Sequence, residues 1–211
     1  MEDLHPWVAG FFRIDAKSLA MKTSTSALRI AVAAMLVALS FVTSLLPSLP
    51  GPITKFNGFP LLLGGLLVGP RTGFAVGCIA DLLGFMVRPT GPFFPGFTLT
   101  QGLTALIPAL FAQNVDPLTW RRSKTEEKEV GSVGVYFRLV AIFGVTQAIT
   151  SVLMVSYFTS KMVQGTPFGI ELFNRTLAQL THVPVYAFMA LAVLRALAET
   201  DLYPRLLKAR K

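Results

Sequence analysis

Residues 88–110 read RPTGPFFPGFTLTQGLTALIPAL. Two glycine-proline turns, a Phe-Phe pair and an arginine stand directly before an apolar run that contains no charge. Proline fixes φ and glycine opens tight turns, so the loop is stiff and ends where a helix begins. Apolar segments of similar length lie on both sides of it, which places the loop at a membrane face. A stiff aromatic loop there suits the wall or lid of a pocket.

The rest of the chain agrees with a membrane setting. Of 211 residues, 53% are hydrophobic and 14% charged, with a net charge of +8 and a mean hydropathy of +0.59. A soluble domain carries roughly 25% charged residues. The positive charge is spread over short loops beside apolar runs, the pattern of a membrane protein rather than of a nucleic-acid binder. Cys78 is the single cysteine, so an intrachain disulfide or cysteine metal set is excluded. Cys78 reads as a small core residue.

Crossing the hydrocarbon core takes about 20 apolar residues as a helix. Six candidates emerge: 26–46, 58–69, 73–87, 97–112, 135–158 and 170–197. The first continues beyond a typical signal-peptide core with no small-residue cleavage site behind it, so it reads as a retained helix. The second covers only about 18 Å and is expected to begin inside the membrane or against protein. Pro70-Arg71-Thr72 reads as a tight turn between the second and third. The resulting division is a cytoplasmic segment 1–25, a six-helix membrane domain 26–198 and a basic tail 199–211.

Lys and Arg counts set the orientation. With six spans, fifteen fall on the face holding the termini, Arg71 and the 113–134 loop, against four (Lys55, Arg88, Lys161 and Arg175) on the other. Both termini are therefore expected in the cytoplasm, with the Phe93-Phe94 loop outside. The run RRSKTEEKE at 121–129 is of mixed sign and reads as a solvated loop.

No nucleotide-binding lysine loop, HExxH, CxxC or GxSxG pattern is present. An enzyme is not expected, and no cofactor or metal. Runs such as GGLLVG suit close helix packing. Ala27, Ala31, Ala34 and Ala38 share one helix face and form a smooth stripe that either packs inside the chain or meets a partner subunit. Asp81, the one acidic residue deep in a span, suits a bond between neighbouring helices, and His182 a hydrogen-bonded packing role.

On the external side, Phe93, Phe94 and Phe97 offer flat surfaces for stacking. Arg88 and Arg175 offer forked donors for carboxylates or heterocycle edges. Asn57, Gln101, Tyr157 and Asn174 add neutral hydrogen-bonding groups. Arg88 also suits an interfacial, snorkelling position, and Arg175 an ion pair with Glu171 one turn earlier.

Three segments carry a resemblance: ALRIAVAAMLVALSFV, then FNGFPLLLGGLLVGPRTGFAVGCIADLLGFMV, then GPFFPGFTLTQGLTALIPALF. Together they resemble the substrate-binding S components of energy-coupling factor (ECF) vitamin transporters, and among these the folate family. The likeness covers residues 27–112 well and 165–195 more loosely, through FNRTLAQLTHVPVY. It implies an all-α bundle of six helices in the prokaryotic plasma membrane that binds a vitamin near the external face. It also implies docking onto a shared transmembrane subunit that carries two cytoplasmic ATPases, which use the ATP. In the family an alanine-x-x-x-alanine pattern of the first helix meets that subunit, and both Ala27/Ala31 and Ala34/Ala38 fit. Folate, with a ring and a carboxylate tail, suits the residues named above. Pantothenate, cobalamin or a queuosine precursor would be the ligand of a sister S component. A lipid-modifying membrane enzyme lacks its nucleophile or metal set here, and an assembly factor has no need of a stiff aromatic loop beside arginines.

Overall fold

The structure is a computed structural model that describes residues 6–45, 58–89, 91–115, 132–162 and 167–200. These residues are helical apart from short connections. Helix α1 spans Pro6–Leu45, α2 Gly58–Val68, α3 Pro70–Val87 and α4 Pro95–Phe111, the last followed by a 3-10 turn at Ala112–Val115. Helix α5 (Ser132–Gln147) runs through a π-helical stretch, Ala148–Val155, into α6 (Ser156–Met162), and α7 spans Phe168–Ala198.

Each expected apolar segment is a helix. Among the described residues, four stretches are long and apolar enough to cross a membrane: Ser26–Leu45, Pro70–Val87, Val133–Met162 and Phe168–Ala198. Two of the differences from the expected boundaries matter for the fold. Helix α1 begins at Pro6, because helical continuity does not require apolar residues. The 70–72 turn is absent: Pro70 already opens α3, and Gly69 alone makes the turn at φ 86°. Proline is preorganised for the first helical position, and glycine adopts a positive φ without steric cost.

Helix α2 is the centre of the bundle. Ten of its eleven residues, Phe59 to Val68, are buried. A helix apolar on every face belongs in a core, and α1, α3 and α4 surround it. On α1, Leu36 and Ser40 are buried while Ile30, Met35, Leu39 and Val42 face outward. All four alanines of the stripe, Ala27, Ala31, Ala34 and Ala38, are exposed. Among the described residues nothing buries the stripe.

Backbones meet where α3 crosses α4. A Cβ added at Gly77 would overlap the carbonyl oxygen of Gln101, and one at Gly65 the carbonyl oxygen of Ala105. Gly73 also faces Ala105 O, at 3.4 Å. Gly73 and Gly77 are one turn apart, as are Ala105 and Gln101, so the two helices run antiparallel in close register. Small residues permit this approach in membrane helices. Asp81 completes the contact by accepting a hydrogen bond from Thr98 Oγ1 at 2.6 Å. The Cys78 thiol lies 3.7 Å from the Thr98 carbonyl, half-buried in the same seam.

Candidate ligand site and family

The aromatic loop leads straight into α4. Phe94 is the N-cap, with extended backbone at φ −130° and ψ 115°, and Pro95 takes the first helical position. The Phe94 ring folds back over the helix start, where it would overlap a Cβ at Gly96. Only glycine at 96 leaves the ring that room. From there Phe94 meets Phe97 edge-on, with centroids 5.7 Å apart. Both also meet Phe158 of α6, at 5.0 and 6.0 Å. Edge-to-face geometry of this kind is favourable beyond the area it buries.

Phe158 ties this cluster to a polar seam. The next residue, Thr159, accepts a hydrogen bond from Arg175 Nη2 at 3.5 Å. Arg175 Nε lies 3.1 Å from Glu171 Oε2, so the ion pair with Glu171 is present. One turn further along α7, Gln179 Nε2 donates to Ser151 Oγ of the π stretch at 2.9 Å. His182 then stacks on Tyr186, ring planes 5° apart and centroids at 5.5 Å. Tyr186 is itself close to Phe59 of α2, at 5.9 Å. Spacings of four, three and four place Arg175, Gln179, His182 and Tyr186 on one face of α7.

Among the described residues, three polar atoms of this region are buried without a hydrogen-bonding partner: Ser156 Oγ, Gln179 Oε1 and His182 Nε2. The packing half of the expectation for His182 is met by Tyr186, while its Nε2 has no partner among the described residues. Buried polar atoms are paired in the great majority of cases.

The residues expected from sequence fall into separate groups. Phe94 and Phe97 come together, and α6 links them to Arg175 through neighbouring residues. Phe93 pairs instead with Phe85 of α3 at 5.2 Å and is about half exposed. Arg88 is exposed at the end of α3, its backbone N–H donating to Gly84 O. Gln101 is half-buried one turn below Phe97. Tyr157 is 51% exposed, with its ring edge-on to Phe158 and Lys161 Nζ 6.0 Å from its centroid. Asn174 is exposed. Asn57 lies outside the described residues.

Sequence reasoning passed over Phe158, Ser151, Ser156 and Gln179. The helical spacing of Arg175, Gln179 and His182 is the signal that would have found Gln179. The π-helical stretch, of a type frequent at functional sites, leaves no compositional trace.

The family model for the ECF transporter, substrate-specific component, matches residues 28–194. The folate transporter FolT of Clostridium novyi (strain NT) is 35% identical over 83 residues, which are 38% of this chain and 48% of that protein. The chain thus spans about half the length of this curated relative. A crystal structure of FolT bound with folic acid superposes with a TM-score of 0.60 at 19% identity, covering 80% of this chain and 94% of that one. At that identity the superposition speaks for the fold. The family match runs from residue 28 in α1 to residue 194 in α7, touching every element described above, and the chain belongs to the substrate-specific components of ECF transporters.

Proposed function

We propose that this chain is the substrate-capture subunit of an ECF-type importer and that its ligand is folate. The observation that carries the ligand is the adjacency of Phe158 and Thr159 on α6. The first joins the aromatic cluster of Phe94 and Phe97, and the second holds Arg175. Folate pairs a flat heterocycle with a carboxylate tail, and a stacking surface beside a forked cation suits both ends. The partial sequence likeness to a folate transporter supports the same choice. Arg88, Phe93, Gln101, Tyr157 and Asn174 are proposed as further contributors on the outer side of the protein.

The bundle sits in the prokaryotic plasma membrane as six membrane-embedded helices, with α5 and α6 forming one span and both termini in the cytoplasm. The exposed alanine stripe supports docking of α1 onto a shared transmembrane subunit that carries two ATPases. ATP is used there, and the ligand passes through unmodified.

The test is mass spectrometry of small molecules that copurify with the detergent-solubilised chain, followed by titration with folic acid. Folate in the preparation and saturable binding support the reading. Copurification of another vitamin, with no folate binding, would transfer the chain to a different ligand branch of the same family.

A further inference from the structure

The seam between α7 and the 148–159 segment contains more polar chemistry than the fold itself requires. Ser156 is fully buried and His182 94% buried, since their exposures are 0% and 6%. Ser156 Oγ, His182 Nε2 and Gln179 Oε1 each lack a hydrogen-bonding partner among the described residues. Gln179 and His182 are one turn apart on the same face of α7. The hydrogen bond from Gln179 to Ser151 and that from Arg175 to Thr159 mark two places where this face meets the facing segment. Ser156 lies between Ser151 and Thr159 in the chain.

These atoms have a definite chemical character. The Gln179 amide nitrogen is engaged by Ser151, so its carbonyl oxygen is offered as an acceptor only. An imidazole nitrogen and a hydroxyl can each donate or accept. His182 is held in orientation by its stack on Tyr186, which is buried. The next residues of the segment, Tyr157 and Phe158, lead into the aromatic cluster. A polar group of fixed orientation next to stacking surfaces is suited to the edge of a planar heterocycle.

Resting on the folate reading above, we infer that Gln179, His182 and Ser156 recognise the hydrogen-bonding edge of the ligand's pterin ring, while Arg175 acts on the carboxylate tail. The Gln179 carbonyl takes the ring N–H at position 3. His182 Nε2 and Ser156 Oγ satisfy the remaining edge atoms. Recognition is then divided along α7: charge at Arg175 for the tail, and uncharged hydrogen bonds at 179–182 for the ring. A site built to bond a particular donor discriminates strongly against an analogue that lacks it, because its own buried atom is left unpaired.

The experiment compares folic acid with its 4-amino analogue, in which the 4-oxo group becomes an amine and N3 loses its proton. The full chain is titrated in detergent with both, and melts report folding. Wild type should prefer folic acid by about tenfold or more, the scale of one lost hydrogen bond to a buried group. Gln179→Leu should lose about tenfold in folic acid affinity and bring the ratio of the two ligands toward one. Gln179→Glu retains an acceptor oxygen and should keep a higher ratio than Gln179→Leu. His182→Phe retains the stack on Tyr186 and should weaken both ligands without lowering the melting temperature. Arg175→Ala should weaken both ligands equally and leave the ratio unchanged. A Gln179→Leu protein that keeps the wild-type ratio overturns the assignment, as does an equal loss of both ligands accompanied by a lowered melt. If wild type binds folic acid without preference over the analogue, this inference fails and the folate reading survives. If wild type binds neither, both fail.

Discussion

Arg175 is held by Glu171, its neighbour one helical turn earlier, through a 3.1 Å contact between Nε and Oε2. The guanidinium is thereby half engaged: Nε is bound to the carboxylate, and Nη2 reaches Thr159 at 3.5 Å. A side chain held this way keeps its orientation while retaining N–H groups for an incoming carboxylate. Losing a charge-assisted hydrogen bond costs about 1.5–3 kcal/mol, so Arg175→Ala should weaken folate binding roughly ten- to a hundredfold. Arg175→Lys keeps the charge without the planar fork and should recover only part of that. Glu171→Gln should change affinity by less than Arg175→Ala, since it loosens the arginine without removing it. Titration of the purified variants checks the order, and wild-type affinity in Arg175→Ala would exclude this arginine from the site.

The aromatic cluster should govern how long a ligand stays. Phe158 meets both Phe94 and Phe97, and such pairs contribute about 0.5–1.5 kcal/mol each. Phe94→Ala and Phe158→Ala should both weaken binding by roughly three- to tenfold on that scale, mainly through a faster off-rate. Gly96→Ala should give a similar but smaller effect by displacing the Phe94 ring. Stopped-flow displacement separates the two rates. Unchanged off-rates in all three variants would remove the lid role.

Close helix approach gives the sharpest stability forecast. Gly77→Val places a side chain against the Gln101 backbone, and overpacking of this kind costs about 1–3 kcal/mol or more. Its melting temperature in detergent should fall clearly. Gly91→Ala is the control, because a Cβ there has nothing within 4 Å. Equal melts for the two variants would contradict the register of α3 on α4.

The stripe on α1 should separate folding from transport. Ala34 and Ala38 are exposed, so replacing both with Leu should leave the melting temperature and ligand binding of the isolated chain intact. Uptake by cells that contain the complete importer should fail, because the larger side chains hold a partner helix away. Retained uptake would move the docking surface elsewhere.

Topology has an independent check. In a Cys78→Ser background, single cysteines at Ser123 and Thr90 should react with impermeant reagents from opposite sides of the membrane. Labelling of both from outside would reverse the expectation drawn from the charge count.

Most of the fold was legible because membrane helices advertise themselves. The apolar runs from Ser26, Gly58, Phe97 and Val135 each became a helix, although the helix starts at Pro70 and Pro95 were placed two or three residues late. What escaped notice depends on partners distant in sequence. Gln179 gains its meaning from Ser151, 28 residues away, and Phe158 looks like any span residue until α4 delivers Phe94 to it. Thr146, just before the π stretch, and Thr150, within it, bond back through their hydroxyls to Ile142 O and Thr146 O. Such bonds bend helices, but the same residues occur in regular ones. The sequence already separated Arg88, suited to an interfacial end, from Arg175, suited to an ion pair with Glu171; what tertiary packing adds is the contact of Arg175 with Thr159 on α6.

The brevity of α2 bears on how the protein is made. Eleven residues rise about 16 Å, roughly half of a hydrocarbon core about 30 Å thick. During synthesis such a segment cannot stand alone in lipid as a membrane anchor. It needs α3, joined to it by the single turn at Gly69, and the glycine seam beyond. Biogenesis of the centre is therefore tied to later elements: α2 and α3 enter as a hairpin, and the core closes when α4 has left the ribosome. A truncation after α3 should be cleared by cellular proteases, whereas one beyond α4 should persist long enough to be detected in membranes.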